Sequence, residues 1–300
     1  MMPGPTSGHP PETGAAARPV ILCADDFALS EGVSHAIIDL AERGRLSATS
    51  CMTCSPLWPP LARGLDGVAG RCEIGLHLTL TDQQPLGRVP GLAPDGRLPG
   101  LGRLMAMAYA GSLDKAFVRD EVHRQWDAFV AARGALPDFV DGHQHVHLLP
   151  GVRVAILDLL VSCPAERRPW VRVCWEAPSR VVRRGIAVGK ALFLSALSSA
   201  LRQEVTRLGL RANGSFRGVH GFDAGADPAP MFARFLRGGG RRPLVMCHPG
   251  YVDDRLRTLD RVTDQRQSEY GYLASDRFLY DLHAAGRRIA RFAEAETASA

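Results

Sequence analysis

The residues able to do chemistry in this sequence are carboxylates and imidazoles far apart along the chain. They are Asp25 and Asp26, His77, the run Asp141-Gly142-His143-Gln144-His145-Val146-His147, and His248 before Pro249-Gly250. One carboxylate with two neutral imidazoles can hold a divalent ion and leave coordination positions open for water and substrate, as hydrolytic metal sites require. Asp26, His77 and His143 are read as those ligands. Successive side chains of a strand point to opposite faces, so Asp25 cannot share the direction of Asp26. Asp25 is therefore read as the base that accepts a proton from the activated water, and His248 as the acid that protonates the leaving nitrogen of an amide. The plainer alternatives are an Asp pair that caps the next helix and a histidine that only shapes its turn.

The three histidines of the run stand at period two, so an extended strand would carry them on one side at intervals of about 6.6 Å. They cannot all reach one ion. His143 is taken as the ligand, His145 as a contact to substrate or to the groups behind the ligands, and His147 as structural. Arg172, inside Val171-Arg172-Val173, is read either as a cation facing substrate or as a surface salt bridge, and Phe27 as packing.

Such scattered residues meet only if the elements carrying them end together. Pro19 to Cys23 is a continuous apolar run leading into Asp25-Asp26, the pattern of a strand buried on both faces. Ser30 can cap a helix that repeats apolar residues from Val33 to Ala41 and stops at Gly44. The alternation continues with strand 48–53, helix 57–68 and strand 71–77, which ends in His77. Helix 113–132, strand 139–147, helix 152–162 and strand 170–174 come next. A long helical region 179–208, a Gly-rich stretch to 226, a helix near 229–237, strand 244–248 and a helix near 276–285 complete the series. Repeated strand–helix units predict a parallel α/β fold whose strand ends share one face, and there the acids and histidines converge. The Pro- and Gly-rich segment 81–111, directly after His77, is expected to be a loop insertion serving as lid or substrate loop. The domain plan is a tail over residues 1–17 and a single catalytic domain over 18–293.

With 300 residues, 46% apolar and 22% charged, the chain is long and apolar enough for a large core and is neither disordered nor fibrous. A net charge of +5 is spread along the sequence without a basic stripe, which argues against a nucleic-acid partner. Seven cysteines, several inside apolar runs, fit the reduced cytoplasm, and Cys51-x-x-Cys54 is read as structural because no second such pair exists. The first 17 residues lack the pattern of a signal peptide. The stretch 186–201 is too short and too interrupted to span a membrane. Flanked by Arg180, Arg183, Arg184 and Arg202, it leaves peripheral membrane contact open, although such a helix is more often core. Homodimerisation is carried as an expectation.

Four segments resemble the YdjC-like carbohydrate deacetylases, a family that includes chito-oligosaccharide deacetylases and deacetylases associated with hopanoid biosynthesis. They are Ala24-Asp-Asp-Phe-Ala-Leu-Ser30, Gly75-Leu-His-Leu-Thr79, Asp141-Gly-His-Gln-His-Val-His147 and Met246-Cys-His-Pro-Gly-Tyr-Val-Asp253, in family order. The resemblance implies a TIM-barrel-like α/β barrel and a divalent ion, zinc or magnesium, on Asp26, His77 and His143. It also implies removal of acetyl from an N-acetylated amino sugar, with Asp25 as base and His248 as acid. Ala28 stands where the family usually has Gly, which bears on the shape of the loop after the acid pair. The competing readings are a metal phosphoesterase, which usually needs more acidic ligands for two ions, and a sugar-binding protein that keeps the metal without turnover. A receiver domain of the phosphoryl-transfer type also opens on a strand ending in Asp-Asp, but its third strand should carry an Asp where this one carries His77.

Overall fold

The computed structural model describes residues 17–223 and 225–298, so the predicted tail, apart from Ala17, lies outside the described residues. The apolar run after Arg18 forms β1 (Arg18–Phe27), buried from Val20 onward. Ser30 caps α1 (Glu31–Glu42) by accepting the Val33 N–H. β2 (Ala48–Cys51), β3 (Glu73–Leu78), β4 (Phe139–Gly142) and β5 (Trp170–Val171) then lay out one half of the sheet. β6 (Ser215–Arg217), β7 (Pro243–Cys247) and β8 (Arg287–Ile289) form the other half. The strand order is β5-β4-β3-β2-β1-β7-β6, with β8 paired to the first residues of β1, and every pairing is parallel.

The sheet curls until its two edges approach. There the ladder is replaced by one bridge, Val171 to Ala212, and by the Asn213 side chain. Its amide oxygen accepts the Val173 N–H at 2.7 Å and its amide nitrogen donates to the Val173 carbonyl at 2.9 Å. A side-chain amide supplies the same donor and acceptor as a peptide group, so the seam is satisfied without a full strand pair. The result is an irregular TIM-barrel-like α/β fold, with strand ends grouped on one rim.

Several boundaries differ from the sequence reading. The predicted strand 139–147 stops at Gly142, and residues 143–148 turn as a 3₁₀ segment in which Gln144 (φ 50) and His145 (φ 62) are left-handed. The segment 81–111 is not wholly a loop, since it carries a helix over Leu101–Tyr109. The expected helix 57–68 is short, Trp58–Leu61, and continues as a 3₁₀ turn. The single helical region 179–208 is three helices, Pro178–Arg184, Val188–Leu197 and Ser199–Arg207. The first break falls at Gly185 (φ 67) and Ala187 (φ 41), where the backbone is left-handed. Helices over Asp254–Leu259 and Asp264–Ala274 follow His248 where the sequence showed no periodicity.

All seven cysteines are buried and free, and burial pushes the Cys54 thiol up to about 12, as befits small core residues. No helix among the described residues is long and apolar enough to cross a membrane.

Between β3 and β4 the core is aromatic. Phe139 stacks on Trp170 at 4.3 Å between centroids, and Trp170 stacks on Phe292 at 4.8 Å. Gly75 lies against this stack, and a Cβ there would sit 2.5–2.6 Å from the Phe139 ring, which is fully buried and has nowhere to move. Gly75→Ala is therefore expected to destabilise the fold by about 1–3 kcal/mol through overpacking, read as a lower urea midpoint at unchanged slope.

Candidate active site

The end of β1 does not run straight. Its register against β2 shifts between Ala24 and Phe27, and Asp26 (φ 71) and Ala28 (φ 72) are left-handed. The twist sends the adjacent carboxylates apart, as alternation alone requires. Ala28 (φ 72) holds a left-handed conformation that glycine adopts freely and alanine only at some cost.

Asp25 faces Arg172, which is fully buried. The guanidinium donates to both carboxylate oxygens, Nη2 to Oδ1 and Nη1 to Oδ2, each at 2.6 Å. The same Nη2 lies 2.6 Å from Asp141 Oδ2. Burial opposes the charge on Arg172, but Asp141 and Asp25 outweigh it and hold its pKa well above the ordinary value. The sequence reading of Arg172 as a substrate contact or a surface salt bridge is thus corrected. Its side chain points inward because the sheet curls its face into the barrel, and it neither lines the cavity nor meets solvent.

Asp26 turns to the other side. Its Oδ1 is 2.8 Å from His143 Nδ1 and 3.2 Å from His77 Nε2, while its Oδ2 accepts from Arg266 Nη2 at 2.6 Å. Burial works to raise the Asp26 pKa, but Arg266 and His143 overcome it and hold the carboxyl well below the usual range. His77 Nδ1 is 2.6 Å from Asp141 Oδ1 and 2.9 Å from Ser50 Oγ. Burial disfavours the charged ring, yet Asp141 and Asp26 lift its pKa to about 10.

Asp26, His77 and His143 offer donor atoms that all lie within 4.8 Å of one another. The set fits a divalent ion on a second ground. Asp141 Oδ1 accepts a hydrogen bond from His77 Nδ1–H, which leaves Nε2, on the Asp26 side, as the ring atom that would bind an ion once its proton is displaced, and that is how carboxylates orient metal-binding histidines. A cation entering here takes the place of a proton, which relieves the same negative charge that holds His77 protonated.

His248 follows β7 on the same rim, its Nε2 4.0 Å from Asp25 Oδ2. Its backbone N–H donates to Glu269 Oε2 at 2.7 Å and its ring meets Phe222 edge-on at 5.1 Å. Burial lowers its pKa against the pull of Asp26 and Asp25. His145 also reaches the cavity. Burial, with His147 and Arg172 nearby, keeps it well below the ordinary histidine range and hence neutral. His147 Nε2 donates to the Arg172 carbonyl at 3.1 Å from a buried position, as a structural residue would.

Asp25, Asp26, His77, His143, His145 and His248 together line a cavity of about 670 Å³. The structure thus brings together every residue given a catalytic, metal or substrate role in sequence except Arg172. It adds Asp141, which opens the histidine run and was legible as an acid but not as the partner of His77. It also adds Arg266 and Glu269 on the helix 264–274, and Lys190, whose Nζ donates to the His220 carbonyl at 3.0 Å. Arg266 and Glu269 gave no sequence signal, because their partners lie 240 and 21 residues away.

Removing the guanidinium of Arg172 takes the two-pronged partner from buried Asp25 and leaves Asp141 with His77 alone. Arg172→Met is expected to destabilise the protein by about 3–5 kcal/mol, measured by urea unfolding, and an unchanged midpoint would show that the pair carries no net stability.

With this geometry in view, the family profile described as YdjC-like protein matches residues 19–284. The chitooligosaccharide deacetylase of Escherichia fergusonii is 26% identical over 286 residues, covering 92% of this chain and 98% of that protein. The protein of the same description from Klebsiella pneumoniae is 29% identical over 241 residues, 79% of this chain and 83% of its own length. A crystal structure from Enterococcus faecalis V583 superposes with a TM-score of 0.71 at 20% identity, covering 93% of this chain and 98% of that one, a likeness of fold. The match across nearly the whole barrel, from β1 to the helix that precedes β8, places this chain in the YdjC-like family.

Proposed function

We propose that this protein is a divalent-metal-dependent carbohydrate deacetylase that hydrolyses the acetamide of an N-acetylated amino sugar. The observation that carries the reading is the pairing of a three-donor cluster, Asp26, His77 and His143, with two proton-handling groups, Asp25 and His248, on one cavity wall. The chitooligosaccharide deacetylases among its relatives support the substrate class. A volume of about 670 Å³ is in the range of small-ligand sites.

When bound, the ion supplies Lewis acidity, polarising the acetamide carbonyl and acidifying a water. Two imidazoles and a carboxylate favour zinc, while magnesium stays compatible with the family. The chain's own residues do the rest. Asp25, oriented by the two-pronged grip of Arg172, accepts a proton from the attacking water. The water oxygen bonds to the acetyl carbon and the carbon–nitrogen bond breaks. His248 Nε2 gives its proton to the departing nitrogen, so the products are acetate and the free amine. Its place on the cavity wall, 4.0 Å from Asp25, suits that transfer. Neutral His145 lines the same cavity as a hydrogen-bonding contact for the sugar.

Acetate release from N-acetylglucosamine oligomers, with chelator and with zinc or magnesium restored, tests the reaction class. Metal content separates the alternatives, since one ion per chain is expected here and two for a phosphoesterase. His143→Ala is expected to lose both metal and activity. Asp25→Asn should keep the metal and lower kcat by about 10²–10⁴, whereas full turnover in Asp25→Asn would remove the base from the scheme.

A further inference from the structure

Away from the cavity the described residues form a second recess, of about 550 Å³, lined only by arginine and glycine. The arginines are Arg180, Arg183, Arg184, Arg217, Arg234 and Arg237, and the glycines are Gly185, Gly238 and Gly239. The two hollows share no lining residue. Gly238 and Gly239 lie before β7 while His248 lies after it, so the recess opens near the opposite end of that strand from the candidate active site.

Six guanidinium groups around one recess repel one another, and the structure compensates them sparsely. Glu176, buried behind the lining, is shared by Arg184 at 3.1 Å, Arg217 at 3.1 Å and Arg180 at 3.5 Å. Arg183, Arg234 and Arg237 have no ion pair among the described residues. Arg217 is nearly fully buried and is held by three fixed acceptors, Glu176 Oε2 at 3.1 Å and the carbonyls of Phe235 at 2.7 Å and Arg237 at 3.0 Å. Gly239 (φ 111) passes so close to this guanidinium that any side chain there would collide with it. Burial, with Arg217 nearby, drops the Arg184 pKa to about 10, and burial lowers that of Arg217, the mark of cations held together without enough counter-charge.

Such a constellation is costly for a protein to keep unless an anion neutralises it. Guanidinium forks match the oxygens of phosphoryl groups in pairs, and one carboxylate against six cations leaves room for several negative charges. We propose that this recess is a binding site for a polyanionic phosphate ligand, one carrying a pyrophosphate or more than one phosphoryl group. The site does not depend on the metal reading of the barrel rim. Its ligand is either free in solution or the head group of a phosphorylated lipid, and both present the same chemistry.

The test is calorimetric titration of the full, chelator-treated chain with sodium pyrophosphate. Flotation with phosphatidylcholine vesicles, with or without phosphatidylinositol bisphosphate, runs in parallel. The variants are Arg183→Glu with Arg234→Glu, both exposed and outside the core, and His143→Ala at the other site. Pyrophosphate is expected to bind one per chain, to weaken by about tenfold or more in the double arginine variant, and to keep its affinity in His143→Ala. Pyrophosphate binding without flotation assigns a free ligand, and flotation without pyrophosphate binding assigns a head group. In either case the double variant must lose the signal while its thermal melt stays that of the parent. No binding in either format, or equal binding by the double variant, overturns the site.

Discussion

Two carboxylates are buried side by side at the end of β1, and the rest of the site is arranged to compensate them. A charge removed from water costs several kcal/mol even after the protein relaxes, and two neighbouring ones also repel. The chain answers by twisting the backbone at Asp26 so that the carboxylates diverge, and by bringing a buried guanidinium to each. Arg172 reaches Asp25 from just beyond β5, and Arg266 reaches Asp26 from a helix near the C-terminus. Each arginine is shared with a second acid, Asp141 for one and Asp260 for the other, so neither cation is left in excess. Asp141 then also orients His77. The acid pair, its arginines and the histidine thus form one continuous polar network, in which no member can be exchanged without leaving another unpartnered.

That network explains which parts of the site could be read from sequence. Runs such as PVILC before Asp25 and PLVMC before His248 are apolar throughout, as parallel strands buried on both faces must be, and the residues at their ends emerge on the shared rim. The ligand candidates were legible because a strand and its tip are adjacent in the chain. The supports were not. Arg172 sits in a strand-like Val-Arg-Val context whose inward face is set by the curl of the sheet, a property of all the strands together. Arg266 and Glu269 lie in DQRQSEYGYLA, a polar helix with little periodicity, because it buries Arg and Glu against the site rather than an apolar stripe.

The histidine run shows the opposite error. Alternation at period two is the signature of a strand, yet here Gln144 and His145 take positive φ and the run turns instead. The turn serves the site better than a strand would. It brings His143 to Asp26 and His145 to the cavity while His147 goes back into the core against the Arg172 carbonyl. The short strands β6 and β8 and the Asn213 seam escaped for a related reason. Each is three residues or fewer, and each exists only because a distant partner is already in place. The general lesson is that chemistry at strand tips is local information, whereas charge compensation and barrel closure are not.

The position of β1 in the sheet has a consequence for how the chain acquires its structure during synthesis. β1 is made first, yet it lies inside the sheet: β2 covers one edge, while the other waits for β7. Its residues Ile21 to Ala24 pair with 244–247, and Arg18 to Val20 pair with 287–289. On a ribosome that adds about 5–20 residues per second, the apolar edge of β1 stays open for on the order of ten seconds after β2 and β3 could join it. An unpaired apolar strand edge is a template for association with other chains, and the half-sheet made before β7 presents such an edge. β7, made more than two hundred residues after β1 begins, is the strand that closes that edge.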